Sequence, residues 1–309
     1  MKEILLLDNS GEQRKTNVEY EEVTIESNHV PIVLSIWRNR KEDSCIVFLP
    51  GTATHPLFYE AFLHSLAENR FNVIGVHPVC HGKSPRVKKL FSFDEIVQNG
   101  KDAVTYALEN FNKNVIVMGS SQGGIVAIAL AGQDDRIQAV FPHNILIPEV
   151  SDSIVVTRFP GFLQKNYKFC IHLMNRLAKM FPKLPVPVSI YLDLKKVSSD
   201  KKIIQQFYND PIGFMSYPLY FLSSLFSADL SSIQDGSIKC PVIVLAAKGD
   251  PLFPEAYTRQ IYDMIKAPYK ELMLFDENVH LLLNESLSHV LSPIVNKLNS
   301  IGVSFFNQP

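Results

Sequence analysis

Residues 115–124 read VIVMGSSQGG, a short apolar run that passes at once into glycine and serine, and a second apolar run, IVAIALAG, occupies 125–132. A buried strand that turns directly into a helix leaves no room for Cβ atoms where the two segments cross, so glycine suits positions 119 and 123. The residue at the turn is then forced toward positive φ, a strain that is tolerated mainly where function requires it. The stretch therefore predicts a tight strand-to-helix turn with Ser121 at its apex.

Gly119-Ser120-Ser121-Gln122-Gly123 matches the pattern G-x-S-x-G, which is typical of a nucleophile elbow. A glycine-rich turn of this kind also occurs in α/β proteins that have no nucleophile there, so the rest of the chain must decide. Ser120 is expected to face away from the site and to be small for packing.

Length and composition narrow the class of protein. The 309 residues are 46% hydrophobic, enough for a large core in one elaborated domain or two, and the net charge of −1 gives no pull toward nucleic acid. The N-terminal apolar run is about four residues, shorter than a signal peptide requires, and no apolar stretch approaches the roughly 18 residues of a membrane span. The four cysteines, which form no C-x-x-C pair and fit reduced thiols, are Cys45, Cys80, Cys170 and Cys240. We therefore expect a soluble cytoplasmic protein.

Strand-like and helix-like runs alternate along most of the chain. Strands are predicted at 18–27, 31–39, 45–50, 72–78, 114–119, 137–146, 240–247 and 270–277, and helices at 57–71, 93–111, 122–132, 254–267 and 284–299. The first two strands read as a hairpin, and the later alternation implies a mostly parallel sheet with helices on both faces.

The alternation stops between 151 and about 235, where the sequence is rich in aromatic residues, basic residues and proline. An insertion between late strands lies over the carboxyl ends of the sheet, which is the position of a lid. We expect a core built from 1–150 and 236–309 and a helical cap built from 151–235.

A serine hydroxyl needs a base within hydrogen-bond reach and a carboxylate to orient that base. Asp250 ends VIVLAAKGD (242–250) just past one predicted strand, and His280 ends LMLFDENVH (272–280) just past the next. The chain order Ser121, Asp250, His280 is the order found in α/β hydrolases.

On these residues the chain resembles the α/β-hydrolase superfamily, in particular serine hydrolases with a helical cap such as the serine aminopeptidase, monoglyceride lipase and lysophospholipase-like branches. The elbow, the Gly249-Asp250 turn and His280 carry the resemblance, which extends over nearly the whole chain. It implies an α/β-hydrolase fold and a covalent acyl-enzyme on Ser121. His280 would serve as base and then acid, and Asp250 would hold its tautomer.

Two backbone N–H groups should bind the oxyanion. One is that of Gln122, at the amino end of a helix. The resemblance assigns the other to the loop LPGTATHP (49–56), where we expect it at Thr52, although family members often have His-Gly where this chain has Pro50-Gly51. This chemistry requires no metal or organic cofactor.

Other residues compete for these roles. Glu149 and Asp276 are alternative acids, and His143 and His289 are alternative histidines. HPVCHGKS (77–84) resembles the family's Asp-x-x-Gly-His-Gly-x-Ser segment, and we interpret His81 as part of a structural turn near the site.

The predicted cap is basic, with 11 Lys and Arg against 6 Asp between 151 and 239, and it carries many aromatic residues. One interpretation is an apolar acyl pocket with a basic rim, for an amphiphilic ester such as a monoacylglycerol or lysophospholipid, with transient contact between cap and membrane surface. The other is that the aromatic residues form the cap's own core. An acyl transferase, a thioesterase, a carbon–carbon hydrolase and a non-catalytic ligand sensor remain alternatives to ester hydrolysis.

Overall fold

The computed structural model describes residues 6–7, 13–14, 18–40, 43–111, 113–150, 153, 156–159, 162 and 166–306, so the expected start of the cap at 151 lies outside the described residues. The strands are β1 Leu6–Leu7, β2 Gln13–Arg14, β3 Glu19–Ser27, β4 Val30–Arg38, β5 Cys45–Leu49, β6 Asn72–His77, β7 Val115–Ser120, β8 Ala139–His143, β9 Pro185–Pro187, β10 Ser216–Pro218, β11 Val242–Ala247 and β12 Lys270–Phe275. The α-helices are α1 Glu60–Glu68, α2 Phe93–Asn110, α3 Gln122–Ala131, α4 Tyr167–Met180, α5 Leu194–Val197, α6 Lys201–Asn209, α7 Leu219–Phe226, α8 Ser232–Asp235, α9 Glu255–Met264, α10 Leu282–Glu285 and α11 Leu287–Phe306.

An eight-stranded sheet with the order β12-β11-β8-β7-β5-β6-β4-β3 forms the centre of the fold. β3 and β4 are the predicted hairpin, turning at Asn28 and His29, which both have positive φ. β4 is antiparallel to β6, and every pairing from β6 to β12 is parallel. The prediction of a mostly parallel sheet is confirmed.

Alternate residues of each central strand belong to different cores. In β5, Val47 and Leu49 pack in the core that contains α2, α3 and α9, whereas Ile46 and Phe48 pack in the core that contains α1 and α11. Both cores consist of almost fully buried aliphatic and aromatic side chains, which is the burial expected of a parallel sheet covered on both faces. The prediction of helices on both faces is confirmed as well.

Between β8 and β11 the chain leaves the sheet and forms α4 to α8 together with β9 and β10, which pair antiparallel. We propose that this insertion, residues 151–235, is the cap, and we use that name below. The sequence predicted only helices here, because strands of three residues bounded by proline are too short to show a period. None of the helices in the described ranges is long and apolar enough to cross a bilayer.

Candidate active site

The strand-to-helix turn at Ser121 has the predicted geometry. Ser121 has φ 54° and ψ −117°, and α3 begins at the next residue. A Cβ on Gly119 would lie 2.0 Å from the Gly123 carbonyl oxygen, and one on Gly123 would lie 2.0 Å from the Leu49 carbonyl oxygen. Side chains at these two positions would prevent β7, β5 and α3 from meeting, which confirms the steric interpretation of the two glycines.

Ser121, His280 and Asp250 lie in one hydrogen-bonded row at the carboxyl end of the sheet. The Ser121 Oγ lies 3.3 Å from His280 Nε2, and His280 Nδ1 lies 3.0 Å from Asp250 Oδ2. The His280 and Asp250 side chains are almost entirely buried, and the Phe253 ring stacks on the His280 ring with 5.6 Å between centroids. The row joins segments that lie 159 and 30 residues apart in the chain.

Asp250 is held by several donors besides His280. Its Oδ1 accepts the backbone N–H groups of Leu252 and Phe253 at 2.7 and 3.0 Å, and its Oδ2 accepts the side-chain amide of Asn144 at 2.9 Å. Burial alone would raise the pKa of Asp250, but the adjacent His280, its hydrogen bond and the Phe253 amide bring the pKa below its ordinary value. The carboxylate is therefore ionised near neutral pH and fixes the proton of His280 on Nδ1.

A second histidine, His143, lies behind this row, with 5.9 Å between its ring centroid and that of His280. The Asn144 amide nitrogen that donates to Asp250 also lies 3.1 Å from His143 Nε2. Because an amide nitrogen only donates, His143 Nε2 is the acceptor and His143 Nδ1 carries the proton. Nδ1 then donates to the Ser120 Oγ at 3.0 Å. Burial lowers the pKa of His143 to about 3, which keeps a second positive charge away from His280. The interpretation of Ser120 as a packing residue was incomplete, because it is also the partner of His143.

The remaining competitors lie elsewhere. Glu149 is exposed, whereas Asp250 is in direct contact with His280. The Asp276 side chain is 91% exposed and faces Lys248, and His289 is exposed on α11, where it pairs with Glu277.

The two residues predicted to bind an oxyanion flank Ser121. The Thr52 hydroxyl donates to the Gln122 side-chain oxygen at 3.1 Å, and Gln122 is the first residue of α3. In the same loop the N–H of Ala53 donates to the Tyr217 hydroxyl, and that of Thr54 donates to the Gly51 carbonyl. The Thr52 N–H has no hydrogen-bond partner within the described part of the chain.

His81 forms the predicted turn and also makes two side-chain contacts. Its Nδ1 lies 2.8 Å from the Val79 carbonyl oxygen, and its Nε2 lies 2.9 Å from the hydroxyl of Tyr217, a cap residue on β10. The sequence analysis missed the roles of Tyr217 and Asn144. Asn144 could have been found, since a polar residue that directly follows a buried strand is a candidate for the sheet's carboxyl edge. Nothing in the sequence distinguishes Tyr217 from the other aromatic residues of the cap.

Two cavities near Ser121 share part of their walls. A small one of about 50 Å³ contains Ser121, Thr52 and Gln122 in its wall, and a larger one of about 280 Å³ lies within the cap. The wall residues common to both are Leu146, Thr157, Tyr191 and Phe226. The nucleophile candidate thus lies in the wall of a small, mostly apolar pocket that adjoins a larger one.

The aromatic residues of the cap do not all have one role, so neither interpretation of them describes the whole set. Some line the larger cavity, including Phe159, Tyr167, Tyr191 and Phe226; some are buried, including Phe207, Tyr217 and Phe221; and others are exposed, including Phe162, Phe169, Tyr208 and Tyr220. Within the described ranges no three His, Cys, Asp or Glu side chains lie close enough to share a metal ion.

Comparison with known proteins identifies the family of the chain. The model of the serine aminopeptidase S33 family matches residues 40–287, which is most of the chain. The chain belongs to this family. It is a hydrolase of the α/β-hydrolase superfamily, as the sequence resemblance implied.

Solved structures with the same fold include several lipases and esterases. The monoacylglycerol lipase of Paleococcus ferrophilus is 20% identical, with a TM-score of 0.69 over 92% of this chain and 99% of that one. A soluble variant of monoglyceride lipase from Saccharomyces cerevisiae, in complex with a substrate analogue, is 16% identical, with a TM-score of 0.72 over 93% and 97%. A thermostable carboxyl esterase from Bacillus coagulans is 15% identical, with a TM-score of 0.70 over 91% and 98%. No curated protein gives a significant match to the sequence.

Proposed function

We propose that the protein hydrolyses carboxylic esters with an apolar acyl chain, through an acyl-enzyme on Ser121. The observation that carries the proposal is the unbroken row from Ser121 through His280 to Asp250, with Ser121 in the wall of a mostly apolar pocket. The family match and the names of the structural neighbours, two monoacylglycerol lipases and a carboxyl esterase, support an ester as the substrate.

In the acylation step the Ser121 oxygen attacks the ester carbonyl carbon while its proton passes to His280 Nε2. The Nδ1 proton stays on the ring, where the Asp250 carboxylate stabilises the imidazolium. The carbonyl oxygen becomes an anion, and we assign the N–H groups of Gln122 and Thr52 as its donors. Loss of one such donor typically lowers kcat by about 10²–10³.

The tetrahedral adduct then collapses. The bond to the leaving oxygen breaks, the proton on His280 Nε2 goes to that oxygen, and an alcohol departs from the acylated Ser121. Water takes the alcohol's place, gives a proton to His280 and adds to the acyl carbon. Cleavage of the serine ester releases a carboxylic acid and returns the proton to Ser121.

The acyl chain has a defined place in this scheme. The larger cavity is lined almost entirely by apolar and aromatic side chains, and it shares walls with the pocket of Ser121. A long alkyl chain brings no polar group of its own into such a cavity, whereas a charged peptide terminus would be buried there without a partner of opposite charge. This favours an acyl ester over a peptide as the substrate.

The decisive experiment compares the wild-type protein with Ser121→Ala on monoacylglycerols, p-nitrophenyl esters and acyl thioesters. We expect ester hydrolysis that the variant lacks. Transfer of the acyl group to an added alcohol in preference to water would favour an acyl transferase, and faster turnover of thioesters would favour a thioesterase. Binding of fatty acid without turnover of any ester would favour a ligand sensor and reject the proposal.

We also propose that the outer face of the cap contacts an anionic lipid surface, from which an amphiphilic substrate would enter. Helix α4 carries apolar side chains on two separate parts of its surface. Tyr167, Cys170, Ile171 and Met174 point inward and line the larger cavity. The outward face carries a stripe of exposed apolar side chains, Phe169, Leu173, Leu177 and Met180.

Basic residues lie beside this outer stripe, and Lys168, Arg176, Lys179 and Lys183 are all exposed. An apolar stripe with a basic border suits a surface that offers both acyl chains and negative charge. Lipid would therefore contact the same helix that lines the cavity we assign to the acyl chain.

A further inference from the structure

A tyrosine of the cap reaches into the site that we assign to the oxyanion. Tyr217 on β10 has no solvent exposure, and its ring stacks on that of Phe221 with 4.7 Å between centroids. Its hydroxyl oxygen lies 2.9 Å from the Ala53 backbone nitrogen and 2.9 Å from His81 Nε2. One phenol thus joins the cap to two separate loops of the core.

The donor in each of these hydrogen bonds follows from the chemistry. His81 Nδ1 faces the Val79 carbonyl, which only accepts, so Nδ1 carries a proton. Burial lowers the pKa of His81 to about 4, so the ring is neutral near pH 7 and its Nε2 can only accept. Burial raises the pKa of Tyr217, so the phenol keeps its proton and donates it to His81. The lone pairs of the phenol oxygen then accept the Ala53 N–H.

The peptide held in this way links Thr52 to Ala53. Ala53 has φ 63°, a conformation that L-residues rarely adopt and that persists only when neighbouring contacts impose it. The Tyr217 hydroxyl is such a contact, and the side chain of Gln122 lies close enough to it to lower its pKa. Through the Thr52 hydroxyl, Gln122 is also bonded to the same loop. The two candidate oxyanion donors therefore belong to one network that Tyr217 completes.

We propose that Tyr217 is a positioning residue: it holds the loop 51–54 so that the Thr52 N–H points at the oxyanion. This proposal rests on the proposed esterase function. It also implies that the oxyanion site is complete only while the cap strand β10 is seated on the core. His81 is the anchor that orients the Tyr217 hydroxyl, and it does not take part in proton transfer.

The test uses Tyr217→Phe, which keeps the stacked ring and removes only the hydroxyl. We expect kcat per active site to fall about tenfold, with KM changed by less than about twofold, because substrate binding is intact while the oxyanion donor is misplaced. The apparent pKa in the pH profile of kcat/KM should not move, since His280 and Asp250 are untouched. Tyr262→Phe is the matched control, because that hydroxyl bonds a backbone carbonyl, of Lys270, away from the site.

Active sites are counted in each sample with a fluorophosphonate, so that a loss of folded protein is not read as a loss of turnover. If Tyr217→Phe folds poorly, two variants of the anchor give the same information. His81→Gln keeps an acceptor for the phenol and should retain most of the activity. His81→Phe should lower kcat per active site about as much as Tyr217→Phe does. A variant with both substitutions should lose no more activity than either single variant.

The results separate the two proposals. A wild-type protein without a titratable Ser121 overturns the esterase function, and the role of Tyr217 falls with it. A wild-type protein that turns over esters while Tyr217→Phe matches its kcat per site overturns the positioning role alone. An equal loss in Tyr262→Phe, or a loss confined to KM, also overturns the positioning role.

Discussion

Replacement of Met174 by tryptophan tests where the acyl chain lies. Met174 is on the inner face of α4 and lines the larger cavity of about 280 Å³. If the acyl chain of the substrate fills this cavity, each methylene buried there contributes about 0.8 kcal/mol, which corresponds to about a fourfold rise in kcat/KM. Wild-type kcat/KM should therefore climb steeply with chain length until the cavity is full.

Tryptophan is about six heavy atoms larger than methionine, and a side chain of this size added to a packed wall displaces whatever occupies the cavity. We expect it to remove the space for about four methylenes. The kcat/KM for a long-chain ester should then fall by roughly 250-fold, the product of four fourfold steps. Acetyl and butyryl esters, whose chains end near Ser121, should be hydrolysed within about twofold of the wild-type rate.

The assay measures kcat/KM for a series of p-nitrophenyl esters from acetate to palmitate, below their aggregation limits and without lipid. Leu173→Trp is the matched control, because Leu173 is the preceding residue of the same helix but points outward and is 47% exposed. This variant should keep the wild-type dependence on chain length. A flat dependence in the wild-type protein, or the same loss in both variants, would refute the assignment of the cavity to the acyl chain.

Three further predictions follow from the site and the cap. Asp250→Asn should lower kcat by about 10⁴ with little change in KM, measured with a short ester, because the amide no longer fixes the proton of His280 on Nδ1; a loss below about tenfold would contradict this. The pKa of His143 is about 3 in the folded protein against 6.5 in the unfolded chain, so below pH 6.5 the unfolded chain binds a proton that the folded protein does not. The stability linked to this residue is therefore complete above pH 6.5 and is lost as the pH falls toward 3. The free energy of unfolding should therefore drop by about 2 kcal/mol between pH 6.5 and 5 from this group, and urea titrations should find a smaller drop in His143→Gln. Phe169→Asp with Met180→Asp should abolish co-flotation with vesicles that contain phosphatidylglycerol, whereas Tyr269→Asp, which changes an exposed tyrosine of the core, should not; equal flotation of all three proteins would contradict the lipid contact.

The sequence predicts a part of the fold well where a local pattern of residues is compatible with only one structure. Gly119 and Gly123 are required by close backbone contacts, and the fully apolar strands fit only a sheet covered on both faces. Asp250 and His280 were found because each follows a strand, and the carboxyl ends of parallel strands meet at one edge. Which carboxylate contacts His280, that of Asp250 or that of Glu149, depends on the three-dimensional position of His280. The spacing of these residues along the chain does not predict that position.

The cap was harder to predict for a physical reason. Helix α4 has apolar residues on both its inner and outer faces, so its period does not tell which face lines a cavity and which meets solvent. Tyr217 contacts Ala53 and His81, which lie 164 and 136 residues away along the chain. Such contacts arise only when the cap is folded onto the core, and local sequence patterns carry no information about them.

The proposed function requires Ser121 to be an activated nucleophile, and intact-mass spectrometry after treatment with a fluorophosphonate is the most direct test. We expect one covalent adduct on the wild-type protein and none on Ser121→Ala. A folded wild-type protein that gains no adduct, or a variant that keeps it, would show that Ser121 is not the nucleophile.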